Sequence, residues 1–321
     1  MVVPSLGPVV QELFAAGLAA SSQRSYRTGE RKYITFCQSY NLVPFPVTEP
    51  TLIAFVAMLY TQRLAAGTVK SYLAAVRHAQ IAIGLGDPRI GAMPQLEYVL
   101  KGLKRRASGR QRRIRLPITT DILRKLKGVW AQMRDKHNAA MLWAASTLCF
   151  FGFLRMGEAV APATGYDPEV HLSFGDARVN SRSSPQWMEV RIKASKTDPF
   201  RKGVTIYIGV TEGELCPVAA LLGYMVLRGN HNGPMFLFAN GEHLTRNRFV
   251  AELRQALTAA GVDCTLYAGH SFRIGAATTA SMCGIQDSLI KTLGRWESSA
   301  YTVYIRTPPA TLVAVSRTLV S

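Results

Sequence analysis

Acidic residues are scarce in this chain. Its 321 residues carry 20 Asp plus Glu against 38 Lys plus Arg, a formal net charge of +18. A surplus of that size acts through phosphate, so it points first to nucleic acid and second to an anionic membrane surface. Cysteine is also sparse: Cys37, Cys149, Cys216, Cys264 and Cys283 are far apart, odd in number, and form no Cys-x-x-Cys or Cys/His ligand spacing. That excludes a disulfide framework and a zinc site, and the five read as reduced core residues of an intracellular protein. No Lys or Arg precedes Arg24, so no positive region leads an apolar core and a secretory signal is not expected. Long apolar runs are missing too, apart from residues 137–154, which carry no acidic or basic side chain except the titratable His137. This run holds Asn138, Ser146, Thr147 and Gly152, lacks aromatic belts, and leads straight into Arg155 and Glu158. A helix buried on all sides explains it better than a membrane span. Repeats and low-complexity tracts are absent, and a hydrophobic content of 48% is too high for disorder.

The charge that is present is unevenly placed. Residues 1–100 have a net charge of +3 and residues 116–321 a net charge of +7, while residues 101–115 alone hold eight basic side chains and no acid. With a length of about two domains, the chain divides into a first domain, 1–100, a basic linker, 101–117, and a second domain, 118–321, with a tail at 308–321. Like charges at such density favour an extended, solvated linker. It reads as a hinge lying against a phosphate backbone in preference to a plain solvated hinge or a nuclear-import signal.

Periodicity predicts helices only in the first domain. They cover 22–40 (with Ser21-Ser22 as N-cap region), a stretch starting at Thr48-Glu-Pro-Thr51 with Leu52, Phe55, Val56 and Leu59 on one face, 68–83, and 94–106. The second domain is mixed. Helices are predicted at 119–135, 138–151, 216–229, 246–260, 271–283, 286–293 and 298–305, and strands at 170–174, 188–192 and 204–208, the last two flanking a basic hairpin tip, 193–203. The expected fold is therefore mainly α with a small antiparallel sheet (α+β), an N-terminal helical bundle followed by a mixed domain.

Polar residues interrupt apolar elements at four places. Arg155 and Glu158 end the buried helix, Lys196 sits on the hairpin tip, His270-Ser-Phe-Arg273 opens a Gly/Ala-rich helix, and Gly294-Arg295-Trp296 precedes Tyr301 and Tyr304. Taken singly, each has a plain structural explanation, such as a local i,i+3 ion pair for Arg155 and Glu158. Taken in order, Phe-Gly-Phe-Leu-Arg155-Met-Gly-Glu158, Ala-Ser-Lys196-Thr-Asp-Pro-Phe, Gly-His270-Ser-Phe-Arg273-Ile-Gly-Ala and Gly-Arg-Trp296-Glu-Ser-Ser-Ala-Tyr-Thr-Val-Tyr304-Ile-Arg resemble the tyrosine recombinases, or phage-type integrases. They are most similar to the recombinases of eukaryotic DIRS-type retrotransposons and Cryptons. The resemblance runs from about Ala19 to Leu319.

The resemblance implies a nuclear, site-specific recombinase or integrase of a mobile element, in which a core-binding domain and a catalytic domain clamp double-stranded DNA. Arg155, Lys196, His270, Arg273, Trp296 and Tyr304 would be catalytic, with Glu158 supporting them. It also implies a homo-tetramer on two DNA sites, with the tail carrying Leu312, Val313, Val315, Leu319 and Val320 exchanged between subunits, and chemistry that uses no metal, ATP or other cofactor. The residue types suit phosphodiester cleavage. Two guanidinium forks match the non-bridging oxygens, an indole N–H and an imidazole add donors, and nearby cations favour the phenolate of a Tyr. Tyr attack conserves bond energy in a 3′-phosphotyrosyl link and releases a 5′-hydroxyl. Lys196 is the expected acid for that leaving oxygen, with Lys193 and Lys202 as alternatives. Tyr304 is preferred to Tyr301 as nucleophile, although Trp296 precedes it by eight residues where family members commonly show nine. DNA contacts are expected from Lys70 and Arg77 on the third helix, a face that reads equally as solvated, and from Lys104, Arg105, Arg106, Arg110, Arg112, Arg113 and Arg115. Two other functions fit the same residues: a type IB topoisomerase-like enzyme and a domesticated, non-catalytic DNA-binding protein.

Overall fold

The structure is a computed structural model that describes residues 6–107 and 114–306. It separates into two compact units, Met1–Arg112 and Arg113–Ser321.

In the first unit the helices are α1 (Gly7–Ala16), α2 (Ala20–Ser39), α3 (Glu49–Thr61), α4 (Ala66–Ala82) and α5 (Pro94–Ala107). Sequence reasoning missed α1, whose Val9, Val10 and Leu13 stay exposed. Helix α2 begins earlier than the expected Ser21-Ser22 cap, with Ala19 at the N-cap position and no side-chain cap. Helix α3 starts as expected: Thr48 Oγ1 accepts from the Thr51 amide at 3.4 Å, and Pro50 occupies the first turn, where its missing N–H is not needed. Leu52, Phe55, Val56 and Leu59 form one buried stripe that meets Tyr33 and Phe36 of α2, Val69, Leu73 and Val76 of α4, and Leu96 and Leu103 of α5. Gly29 permits the α2–α4 packing, since a Cβ there would sit 3.0 Å from the Tyr72 Cα. The basic run departs from expectation. Residues 101–107 are not extended but complete α5, placing Lys104, Arg105 and Arg106 in its last turn, where cations favour the exposed carbonyl end of a helix.

The second unit contains α6 (Thr120–Ala131), α7 (Lys136–Phe151), α8 (Met156–Ala159), β1 (Ala177–Val179), β2 (Trp187–Ile192), β3 (Val204–Gly209), α9 (Pro217–Arg228), α10 (Arg246–Ala259), α11 (Ser271–Met282) and α12 (Asp287–Gly294). Helix α7 is the buried central helix. Even its Ser146 and Thr147 are enclosed, and Thr147 Oγ1 donates to the carbonyls of Trp143 and Ala144 at 3.1 Å. Among the described residues no helix is long and apolar enough to cross a membrane. The sheet is antiparallel in the order β1-β2-β3, with Met188, Val190 and Ile192 buried and paired with Ile208, Ile206 and Val204.

Two expected elements are corrected. Residues 170–174 do not form a strand: the Ser173 amide donates to Asp176 Oδ2 at 2.6 Å, closing a 3-10 turn (Phe174–Asp176), and pairing starts only at β1. The helix expected at 298–305 is a short 3-10 turn (Ser299–Val303), too brief to nucleate an α-helix. All five cysteines are free, but only Cys37, Cys149 and Cys216 are buried; Cys264 is half-buried and Cys283 exposed.

Candidate active site

The chain leaves α7 through Gly152 and Phe153, the latter at φ 50°, and turns into α8. This delivers Arg155 and Glu158 to one place. The Arg155 amide donates to Glu158 Oε2 at 2.9 Å and its Nη1 to Oε1 at 2.7 Å. A second cation, absent from the expected set, shares this carboxylate: Arg295 Nη2 donates to Glu158 Oε2 at 2.8 Å. Glu158 retains only 3% side-chain exposure, so one buried carboxylate is matched by two guanidinium groups.

Arg273, from the first turn of α11, is wholly buried. Its Nη1 donates to the Phe153 carbonyl at 2.7 Å and its Nη2 to the Gly294 carbonyl. The guanidinium lies 4.3 Å from the Trp296 ring centre and 5.7 Å from that of Tyr304, so two rings cover it. Burial, and then the charge of Arg155, lower its pKa to about 10, which leaves it protonated at neutral pH. Trp296 follows an Arg295 in the left-handed region, φ 55°, and packs its ring so closely on Gly294 that a Cβ there would overlap it at 1.6 Å. Among the described residues, Arg273 Nε and Trp296 Nε1 are buried donors without an acceptor.

His270 occupies the N-cap position of α11, its ring 6.5 Å from that of Tyr304. Partial desolvation, then the charges of Arg246, Arg273, Arg155 and Lys196, hold its pKa below the ordinary 6.5. The imidazole is therefore neutral at physiological pH and free to accept a proton. Tyr304 ends the 3-10 turn; its hydroxyl has no hydrogen-bond partner among the described residues, while its carbonyl accepts from Thr278 Oγ1 at 3.2 Å. Tyr301 differs. Its hydroxyl donates to Asp287 Oδ2 at 2.9 Å, and that bond raises its pKa, holding it as a neutral phenol.

Lys196 is exposed on the β2–β3 loop, where its charge acts on His270. That loop is shaped by Asp198, whose carboxylate accepts from the Lys202 and Gly203 amides at 3.1 and 2.8 Å. The alternative acid Lys193 is committed elsewhere, 2.7 Å from Asp176 and bonded to the Pro168 carbonyl at 2.5 Å. Arg295 and Arg246 escaped the sequence reading. The signal for Arg246 was a cation in the first turn of α10, where the exposed amides disfavour positive charge.

The expected DNA contacts are dispersed. On the first unit, Lys70 of α4 is exposed, and its interaction with Lys104 of α5 lowers its pKa. Arg77 is less available than expected, because Asp87 takes the Nε–Nη2 edge of its fork at 2.8 and 2.6 Å. Arg115 belongs to the second unit, where its Nη1 donates to the Thr265 carbonyl at 2.7 Å, and Leu116 and Ile118 hydrogen-bond to Leu266 and Ser271. The end of the expected linker is thus docked by main-chain bonds. Arg110, Arg112, Arg113 and the tail 308–321 lie outside the described residues.

No protein-family model matches the chain. An "Integrase/recombinase xerD homolog" of Selenomonas ruminantium is 25% identical over 275 residues, 82% of this chain and 74% of that protein. The solved structure of XerH site-specific recombinase bound to difH substrate, a pre-cleavage complex, superposes with a TM-score of 0.62 at 14% identity, covering 91% of this chain and 78% of that one. A lambda integrase tetramer bound to a Holliday junction gives 0.59 at 15% identity over 95% of this chain and 78% of its own. The solved structures establish a shared fold, the helical tyrosine-recombinase fold with its small antiparallel sheet. The sequence relative, at 25% identity, is an integrase/recombinase homolog, so the likeness in sequence points the same way as the likeness in fold.

Proposed function

We propose that this protein is a site-specific DNA recombinase that cuts and rejoins strands through a 3′-phosphotyrosyl intermediate. The observation that carries the reading is the meeting of Arg273, Trp296, His270 and a Tyr304 hydroxyl without a partner among the described residues, beside the Arg155–Glu158 pair. A phosphate bound there accepts from the Arg155 fork and from the orphaned donors Arg273 Nε and Trp296 Nε1. Reaching Arg273 requires the rings of Trp296 and Tyr304 to shift from above it. The Tyr304 oxygen then attacks phosphorus, its proton passing to neutral His270. The bond from phosphorus to the 5′-oxygen breaks, and Lys196 protonates the leaving oxygen; rejoining reverses each transfer.

The adjacent Lys70 and Lys104 ammonium groups supply a phosphate contact outside this centre, since a bridging anion relieves their mutual repulsion. The reading extends to a mobile-element recombinase of the DIRS or Crypton kind acting in the nucleus, supported by the Gly-Arg-Trp296 to Tyr304-Ile-Arg run and the basic stretch 101–115. It extends also to four subunits on two sites, supported by the likeness to the lambda integrase tetramer. Nicked suicide duplexes, which trap the covalent product, provide the test once the target sequence is selected from a pool. Wild type and Tyr301→Phe should yield a protein–DNA adduct that maps to Tyr304 by mass spectrometry, and Tyr304→Phe none. An adduct that survives in Tyr304→Phe overturns the assignment.

A further inference from the structure

We infer that Arg295 is a positioning residue for DNA cleavage, acting through Glu158 on Arg155; this rests on the recombinase reading above. Arg295 contacts no candidate reacting group. It is nearly enclosed, at 14% side-chain exposure, and reaches across 137 positions of sequence to Glu158. Glu158 meanwhile grips Arg155 twice, at the amide through Oε2 and at Nη1 through Oε1. With Arg295 in place, both carboxylate oxygens have cationic partners, and the carboxylate is fixed from behind while it fixes Arg155 in front. The Arg155 fork then meets a phosphate with one nitrogen already anchored, so little freedom remains to be lost on binding.

The same guanidinium donates to the Gly152 carbonyl at 3.1 Å and the Phe153 carbonyl at 3.4 Å, the acceptors exposed where α7 ends. Arg273 uses that Phe153 carbonyl as well. Arg295 is also the residue whose left-handed backbone turns the chain between Gly294, which accepts from Arg273, and Trp296, which covers it. A single side chain therefore links the Arg155 arm of the site to the Arg273–Trp296 arm. Lysine cannot reproduce this, because its ammonium carries a point charge and lacks the planar fork that serves Glu158 and two carbonyls together.

The test is a double-mutant cycle on the full-length protein with the suicide duplex, read as single-turnover cleavage at saturating DNA and, separately, as DNA affinity. Arg295→Gln should lower the cleavage rate about 10²-fold, the scale of a small misplacement of a reacting group, with affinity unchanged. Glu158→Gln should give a similar loss, the double variant should be no slower than the worse single, and Arg295→Lys should recover part of the rate. If thermal melting shows that Arg295→Gln does not fold, Arg295→Lys replaces it in the cycle. Wild-type cleavage in either Arg295 variant, or losses that multiply in the double variant, overturns the inference. Failure of the wild type to form an adduct overturns the recombinase reading itself, which separates the two failures.

Discussion

The two tyrosines three residues apart show how side-chain partners separate similar sequence positions. The Tyr301 hydroxyl donates a hydrogen bond to Asp287, while Tyr304 faces Trp296, His270 and Arg273 with a hydroxyl that has no partner among the described residues. Of the acid alternatives, Lys193 separates in the same way, since it is tied to Asp176, while Lys196 and Lys202 are exposed. His270 leads to a pH prediction. Its desolvation and the field of four cations lower its pKa from 6.5, so the ring remains a base through that pH. Cleavage should hold level from about pH 8 down to 6.5 and fall only below it. Arg246→Gln removes the cation that acts most strongly on the ring and should move the falling limb upward, toward 6.5. A wild-type limb already lying above 6.5 contradicts the assignment. For stability the sign is fixed by the same shift: the unfolded chain binds this proton more readily. The contribution of His270 is therefore fully present above 6.5 and is lost as pH falls toward its lowered pKa.

At the scale of elements, close backbone approach decides what the site tolerates. Gly275 of α11 faces the Ile118 carbonyl, and a Cβ there would lie 1.8 Å from that oxygen, which is main chain and cannot swing aside. Gly275→Ala should cost about 1–3 kcal/mol or more in a urea melt, by overpacking the contact that holds the first turn of α11 with Arg273. Gly128, exposed within α6 with nothing within 4 Å of its Cβ position, should show the opposite sign: Gly128→Ala gains about 0.5–1 kcal/mol. Equal effects from the two would remove the packing argument. Much of this layout could be read from periodicity. The stripe Leu52, Phe55, Val56, Leu59 and the β2–β3 alternation are local patterns, and local patterns survive folding. Residues 170–174 were misread because their apolar alternation imitates a strand, while the bond from the Ser173 amide to Asp176 closes a turn instead. The Arg295–Glu158 pair and the Lys193–Asp176 pair were illegible for another reason, since each joins residues that only the tertiary fold brings together.

For the whole molecule, the recombinase reading divides the +18 surplus into charges expected to bind DNA and charges expected to act on it. Arg155, Arg273 and Arg295 are spent inward, on Glu158, on main-chain carbonyls and on aromatic rings, so they are poorly placed to set long-range affinity. Arg77 and Arg115 are likewise engaged, by Asp87 and by Thr265. On that reading, affinity is expected from exposed cations such as Lys70 and Lys104, together with Arg110, Arg112 and Arg113 of the basic run in the sequence. Each phosphate neutralised releases condensed counterions and adds roughly 0.9 to the salt slope of log binding constant against log salt. Replacing Lys70 and Lys104 with Gln should therefore flatten the slope by up to about 1.8 and weaken binding most at low salt, while cleavage of saturated DNA proceeds at the wild-type rate. Arg273→Lys should do the reverse, because it leaves the exposed surface untouched and alters only the buried donor geometry beneath Trp296. Filter binding across a salt series, paired with single-turnover cleavage, distinguishes the two groups. A Lys70/Lys104 variant with an unchanged slope would place the binding surface elsewhere on the molecule.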